Sequence, residues 1–229
     1  NNRLQNSNPT GIGVVFFIAD VVDSTGWLTD CVLTNNYIGG GGSGYDLAIV
    51  RAGPNNENTK TGSGKLRNCL IADNTINWGA AMLQVNRGNL YADNCTIANN
   101  RNVAYSSGYN TAGYISNGRG GTFNNCLFYN NRNPAGVTDV DRLDAWTHYN
   151  CRFGNPTTTS DNCTDAPPSF VEEAAGDYRL RTCALVDAGK TSLVSWATAE
   201  GATDLAGEVR VTGDEIDILC RVPSVVDSV

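Results

Sequence analysis

Apolar and polar residues alternate over short stretches of this chain, and the stretches repeat. The clearest is Asn94-Cys95-Thr96-Ile97-Ala98-Asn99-Asn100-Arg101. Residues 30–36, 68–74 and 125–132 follow the same order, and Asn150-Cys151-Arg152-Phe153-Gly154-Asn155 is a weaker copy. Within each copy apolar side chains fall on alternate positions, which puts them on one face of a strand. The Asn-rich ends supply turns, because Asn tolerates left-handed backbone angles and bonds its own backbone. A glycine often opens the strand, as in Gly26-Trp27-Leu28, Gly64-Lys65-Leu66, Gly88-Asn89-Leu90 and Gly121-Thr122-Phe123. A second apolar run, Ala80-Ala81-Met82-Leu83-Gln84-Val85, lies between copies. Gly and Asn interrupt too often for a helical rhythm to develop.

The cysteines of the repeat step by 38, 26, 31 and 25 residues. Self-similarity at such a period marks a solenoid. One coil cannot bury its apolar face alone, whereas stacked coils can, each residue lying over its equivalent. The expected fold is all-β: a parallel β-helix of five to six coils over residues 1–155, with an irregular C-terminal extension or cap over residues 156–229. Cys31, Cys69, Cys95, Cys126 and Cys151 are expected to form an inward column of free thiols, and the asparagines a column bonded from rung to rung. A Gly-rich β-sandwich is the rival fold, but it does not explain why Asn-Cys returns with its flanks intact.

In chain order, Asn1-Asn2-Arg3-Leu4 reads as the tail of a repeat, so the chain is expected to begin within a coil, without a leader or capping helix. Residues 11–18 read as a strand crowding the core, and residues 54–64 as a protruding insertion that accounts for the longest step. Pro156-Thr157-Thr158-Thr159-Ser160 reads as a linker, and the segment beyond it is expected to lie along or across the end of the coil.

The chain has 229 residues, a net charge of −7 and a pI near 4.6. No basic stripe is present, which argues against nucleic acid and weakens any case for tight binding of polyanions. No apolar run reaches the roughly 20 residues of a membrane-crossing helix. Of the eight cysteines, Cys163, Cys183 and Cys220 lie outside the expected ladder. A bridge among them, or from one of them to Cys151, is expected, with Cys183–Cys220 the first choice. The single histidine and the lack of a CxxC pair leave no expected metal site.

Candidate chemistry is sparse. Asp139, Asp141 and Arg142, with Asp144 and His148, are the one group that fits a calcium site or an acid/base pair. The competing reading, which we carry forward, is a solvated loop after Pro134, with His148 packed at the surface beside Trp146 and Tyr149. Tyr105, Tyr109 and Tyr114, with Trp78, fit a platform for sugar rings or ordinary packing between coils. Arg51, Lys60 and Lys65 are expected to solubilise. Asn94-Cys95-Thr96 and Asn162-Cys163-Thr164 match the glycosylation pattern, the first being expected to stay unmodified within the ladder.

The Asn-Cys repeats resemble the right-handed parallel β-helix proteins of bacterial surfaces, including those with polymorphic outer-membrane-protein-like repeats. In the tail, Pro168-Ser169-Phe170-Val171, Gly176-Asp177-Tyr178-Arg179-Leu180, Leu185-Val186-Asp187-Ala188-Gly189 and Thr203-Asp204-Leu205-Ala206-Gly207 are similar to the segment ending the coil in the choice-of-anchor Q group. Members finish this motif with Gly-Ala-Tyr-Glu, where this chain has Leu219-Cys220-Arg221-Val222, which favours a disulfide at Cys220. The resemblance implies a right-handed coil and a secreted protein of the bacterial exterior. It implies an activity weakly, because such folds carry many functions. The leading expectation is a non-catalytic structural or adhesive protein, its partners glycans or further copies of itself stacked head to tail into filaments. The alternatives are a polysaccharide lyase or glycoside hydrolase and a carbohydrate-binding module. No cofactor is expected, calcium being the one ion the acid group would take.

Overall fold

The computed structural model describes residues 3–6, 12–17, 24–40, 47–53, 62–77, 81–86, 88–103, 113–116, 120–134, 136–137, 146–153, 160–181, 183–199, 202–205 and 215–218. Strands recur in a fixed order of four, and each pairs in parallel with its counterpart one coil later. The first sheet holds β1 (Arg3–Asn6), β5 (Tyr37–Gly40), β9 (Thr75–Asn77), β13 (Arg101–Asn102) and β17 (Arg132–Asn133). The second holds β2 (Ile12–Phe17), β6 (Leu47–Ala52), β10 (Ala81–Asn86) and β14 (Gly113–Ser116). The third holds β3 (Ser24–Thr29), β7 (Gly62–Arg67), β11 (Asn89–Asp93), β15 (Gly120–Asn124), β19 (Thr147–Tyr149) and β20 (Ser160–Asp161). The fourth holds β4 (Val32–Thr34), β8 (Leu70–Ala72), β12 (Thr96–Ala98) and β16 (Leu127–Tyr129). This is a parallel β-helix. Its first sheet ends in an antiparallel pairing of β17 with β18 (Gly136–Val137). Arg3 shares the register column of Tyr37, Thr75, Arg101 and Arg132, as the likeness of Asn1-Asn2-Arg3 to the repeat tail predicts.

Two corners explain the Asn repeat. Asp30, Asn68, Asn94, Asn125, Asn150 and Asn162 turn the chain from the third sheet to the fourth, all with φ between 50° and 54°. Asn35, Asp73, Asn99 and Asn130 turn it from the fourth sheet to the first, with φ of 53° to 55°. Most side chains lose about 1–2 kcal/mol in this left-handed conformation, whereas Asn and Asp adopt it readily. The residue after the second corner builds a separate, buried ladder. The Nδ2 atoms of Asn36, Asn74 and Asn100 each donate to Oδ1 of the next rung at 2.8–2.9 Å, the last acceptor being Asn131.

The thiol column is present and is longer than expected. The backbone N–H groups of Cys95, Cys126 and Cys151 donate to the Sγ of Cys126, Cys151 and Cys163 at 3.3–3.4 Å. Cys163 is therefore a further rung. Thr164 bridges to Arg152, and β20 pairs with β19, so Ser160 to Thr164 belong to the coil. The Asn162 amide of the second glycosylation pattern donates to Asn150 Oδ1 within the first corner column. All seven cysteines among the described residues are free thiols. The expected Cys183–Cys220 bridge is not made at Cys183, which packs instead as an apolar group beside Leu127, Leu185 and Ile218. Cys220 lies outside the described residues.

Inside the coil, Leu28, Leu66, Ala92, Phe123 and His148 form one column. Leu33, Ile71, Ile97 and Phe128 form another, which Phe153 extends with its ring stacked 4.8 Å from that of Phe128. His148 thus corrects its surface assignment. It is 0 % exposed, stacked 5.6 Å from Phe123 and edge-on to Phe153 at 4.7 Å. Neither ring nitrogen has a hydrogen-bond partner among the described residues, and burial lowers its pKa from 6.5 to about 4. The unfolded chain takes up this proton near pH 6.5, whereas the folded chain resists until about pH 4. Acidification across that window is expected to remove about 3 kcal/mol of stability, since each pKa unit is worth about 1.4 kcal/mol. Denaturant melts of His148→Phe should lose this pH slope, and an unchanged slope would sink the assignment.

The described residues beyond Thr164 pack on the coil from the side. They fold back along the outside of the fourth sheet, over earlier coils. β21 (Phe170–Glu172) and β22 (Asp177–Leu180) form an antiparallel pair. Leu70, Ala72 and Ala98 on the sheet pack with buried Tyr178 and with Phe170 and Leu205, and Leu127 packs with Leu185 and Ile218. Full burial of one such side chain contributes about 1.5–3 kcal/mol. Both corners hold this strap. At the first, Asn94 Nδ2 donates to Asp217 O (2.9 Å), Asn125 Nδ2 to Lys190 O (3.1 Å) and Asn150 Nδ2 to Ala188 O (2.7 Å). At the second, Tyr178 Oη donates to the Asp73 carboxylate at 2.9 Å and accepts from Asn99 Nδ2 at 2.8 Å. The first coil lies beyond this cover, and Val32 there is 50 % exposed.

Candidate functional site

The outward positions of the third sheet are polar and aromatic. Trp27, Lys65, Tyr91, Thr122 and Thr147 stand in one register column. Thr29, Arg67, Asp93, Asn124 and Tyr149 stand in the next. Strand alternation puts both rows on the face opposite Leu66 and Phe123. The strap reaches this face through two short 3-10 turns, Thr191–Leu193 and Ser195–Thr198. Between them and the sheet lies a groove of about 280 Å³, lined by Trp27, Lys65, Arg67, Tyr91, Asp93 and Trp196 among others.

Its aromatic rings are held by cations. Lys65 Nζ lies 4.7 Å from the centre of the Trp27 ring and 5.6 Å from that of Tyr91. Arg67 Cζ lies 4.8 Å from Trp27 and 4.9 Å from Trp196. Such contacts contribute about 0.5–1 kcal/mol each at exposed sites and fix the ring planes. Trp27 remains 52 % exposed, so much of a large apolar surface faces water. Beside it, Asn124 Nδ2 donates to Asp93 Oδ1 at 2.8 Å. Burial pushes the Asp93 carboxyl above its ordinary pKa, while the Asn124 amide, the Trp196 indole and the Arg67 and Lys65 cations act in the opposite sense. The groove therefore offers flat apolar rings with donors and an acceptor at their edges.

No family model, curated protein or solved structure matches this chain.

Asp139, Asp141, Arg142, Asp144, Tyr105, Tyr109, Trp78 and Lys60 lie outside the described residues. Tyr114 is on β14, paired with Gln84. Arg51, expected to solubilise, is fully buried on β6, whereas Lys65 lines the groove. Among the described residues no three His, Cys, Asp or Glu side chains are grouped to hold a metal ion. No helix among them is long and apolar enough to cross a membrane. The groove was legible in part. Counting back four residues from Cys31, Cys69 and Cys95 gives Trp27, Lys65 and Tyr91. Aligning the copies on glycine hides this, because Leu90 rather than Gly88 pairs with Gly64. Trp196 arrives only through the path of the strap, which no local pattern announces.

Proposed function

We propose that this chain is a non-catalytic, adhesive β-helix that binds saccharides in the groove of the third sheet. The half-exposed Trp27 indole, flanked by Tyr91 and Trp196, carries the reading. Aromatic rings present flat apolar surface with a preferred stacking geometry, which suits the C–H face of a sugar ring. Lys65, Asp93 and Asn124 supply the hydrogen bonds that sugar hydroxyls need, in keeping with a pocket of few, fixed polar groups. Placement at a bacterial surface follows from the sequence resemblance and belongs to the same proposal. The test is a glycan array carrying neutral and uronic-acid-containing oligosaccharides, followed by calorimetry on the best binder. Trp27→Ala and Tyr91→Ala are each expected to weaken binding about tenfold or more, the effect of truncating an aromatic anchor. An array without binders, or a Trp27→Ala protein that binds as wild type, would overturn the reading.

A further inference from the structure

A second groove runs along the first sheet and carries a different chemistry. Arg101 and Arg132 pair directly across β13 and β17, one coil apart, and both are exposed. Adjacent rungs are about 4.8 Å apart, and like charges placed directly opposite destabilise a sheet. Among the described residues neither arginine forms an ion pair, although the chain has a net charge of −7. Arg132 Nε donates to Asn130 Oδ1 at 2.6 Å, which orients the guanidinium. The pair sits where two cavities meet. One, of about 610 Å³, adds Asp73, Asn99, Asn130 and Glu173, and the other, of about 500 Å³, adds Asn102 and Asn133.

Among the described residues the two carboxylates form no ion pair with the arginines and accept from other groups instead. Tyr178 Oη donates to Asp73, and Asn99 Nδ2 donates to Glu173 Oε1 at 2.8 Å. A ligand for this groove must therefore satisfy two cations at one place and two hydrogen-bond acceptors beside them. A bare anion or a polyphosphate meets only the first condition, because neither carries hydroxyls to donate to Asp73 and Glu173. We infer that the groove between β13, β17 and the Asp73–Glu173 corner is a second binding site, for an acidic saccharide. Its carboxylate or sulfate lies between Arg101 and Arg132, whose planar forks match such groups, and its hydroxyls donate to Asp73 and Glu173. The site is separate from the Trp27 groove and does not depend on it.

The experiment is calorimetry of the whole chain with an oligouronate, a sulfated oligosaccharide, a neutral oligosaccharide of equal length, and inorganic sulfate. At least one acidic oligosaccharide is expected to bind, more weakly as salt rises, and the two acidic arms tell carboxylate from sulfate. Arg101→Gln and Arg132→Gln should each weaken that binding tenfold or more, while Trp27→Ala leaves the arginine-dependent component in place. Both arginines are exposed, so neither change should disturb the fold, and circular dichroism checks this. With the first groove disabled by Trp27→Ala, equal binding of the neutral sugar, equal binding of inorganic sulfate, or retention of full affinity on adding Arg101→Gln would each overturn the inference.

Discussion

Gly121→Ala is expected to prevent the chain from folding. A Cβ at this position would stand 1.7 Å from the carbonyl oxygen of Leu90 and 2.7 Å from its carbonyl carbon. Both are backbone atoms of the preceding coil, in the strand with which Gly121 is paired. No rotamer change relieves such a clash. The coils would have to separate locally, with loss of ladder hydrogen bonds worth about 1 kcal/mol each and of packing against Phe123 and Leu90. A cost above about 4 kcal/mol is expected, against a total stability of about 5–15 kcal/mol for an ordinary domain. Insoluble expression, or loss of the β-sheet circular dichroism signal, is the readout. Gly88→Ala should behave alike, since its Cβ would meet Gly62 O at 1.8 Å. Gly39→Ala is the control, because there the added carbon meets only the ring of Tyr37, which can swing aside. A folded Gly121→Ala protein with unchanged melting would show that the coils are not stacked as described.

Asn100→Ala is expected to cost about 3–5 kcal/mol. Asn100 is fully buried, and its side chain makes four hydrogen bonds. Its Oδ1 accepts from the backbone N–H and the Nδ2 of Asn74 at 3.0 and 2.9 Å. Its Nδ2 donates to Asn131 Oδ1 at 2.8 Å and to Ile71 O at 2.9 Å. Alanine takes a partner from two donors and two acceptors of neighbouring rungs in a buried position, each loss costing about 1–3 kcal/mol where no second partner remains. For a chain of this size the melting temperature should fall by roughly 6–20 °C. Asn100→Asp should be worse at neutral pH, because it replaces the amide donor with a buried charge. A melting temperature within a degree or two of wild type would refute the ladder as a source of stability.

These two positions also show what the sequence reveals and what it hides. The Asn-Cys pairs and the alternation around them report the coil directly, because left-handed corners admit few residue types and most inward positions of the third and fourth sheets are apolar. The offsets from each cysteine carry more than that. Phe123 stands three residues before Cys126, and His148 three before Cys151. That count places His148 in the core, although its polarity suggests the surface. Cys163 does not stand out as a rung in the sequence because its step is only 12 residues and Pro156 precedes it. The grooves are harder to read. Arg101, Arg132 and the corner residue Asp73 are visible in the repeat, but Glu173 joins them only because Tyr178 docks the strap at the second corner. Long-range docking of this kind leaves no periodic trace.

The strap has a further consequence for how the molecule comes apart. In a bare stack each coil touches only its neighbours, so the ends can fray while the middle survives. Here Ala188, Lys190 and Asp217 bind Asn150, Asn125 and Asn94, and Tyr178 binds Asp73, so one segment clasps four successive windings. Releasing any one of them loosens the clasp on the others. The four clasped windings are therefore expected to come apart together, as pages bound by a spine, while the first coil, beyond the clasp, can still fray.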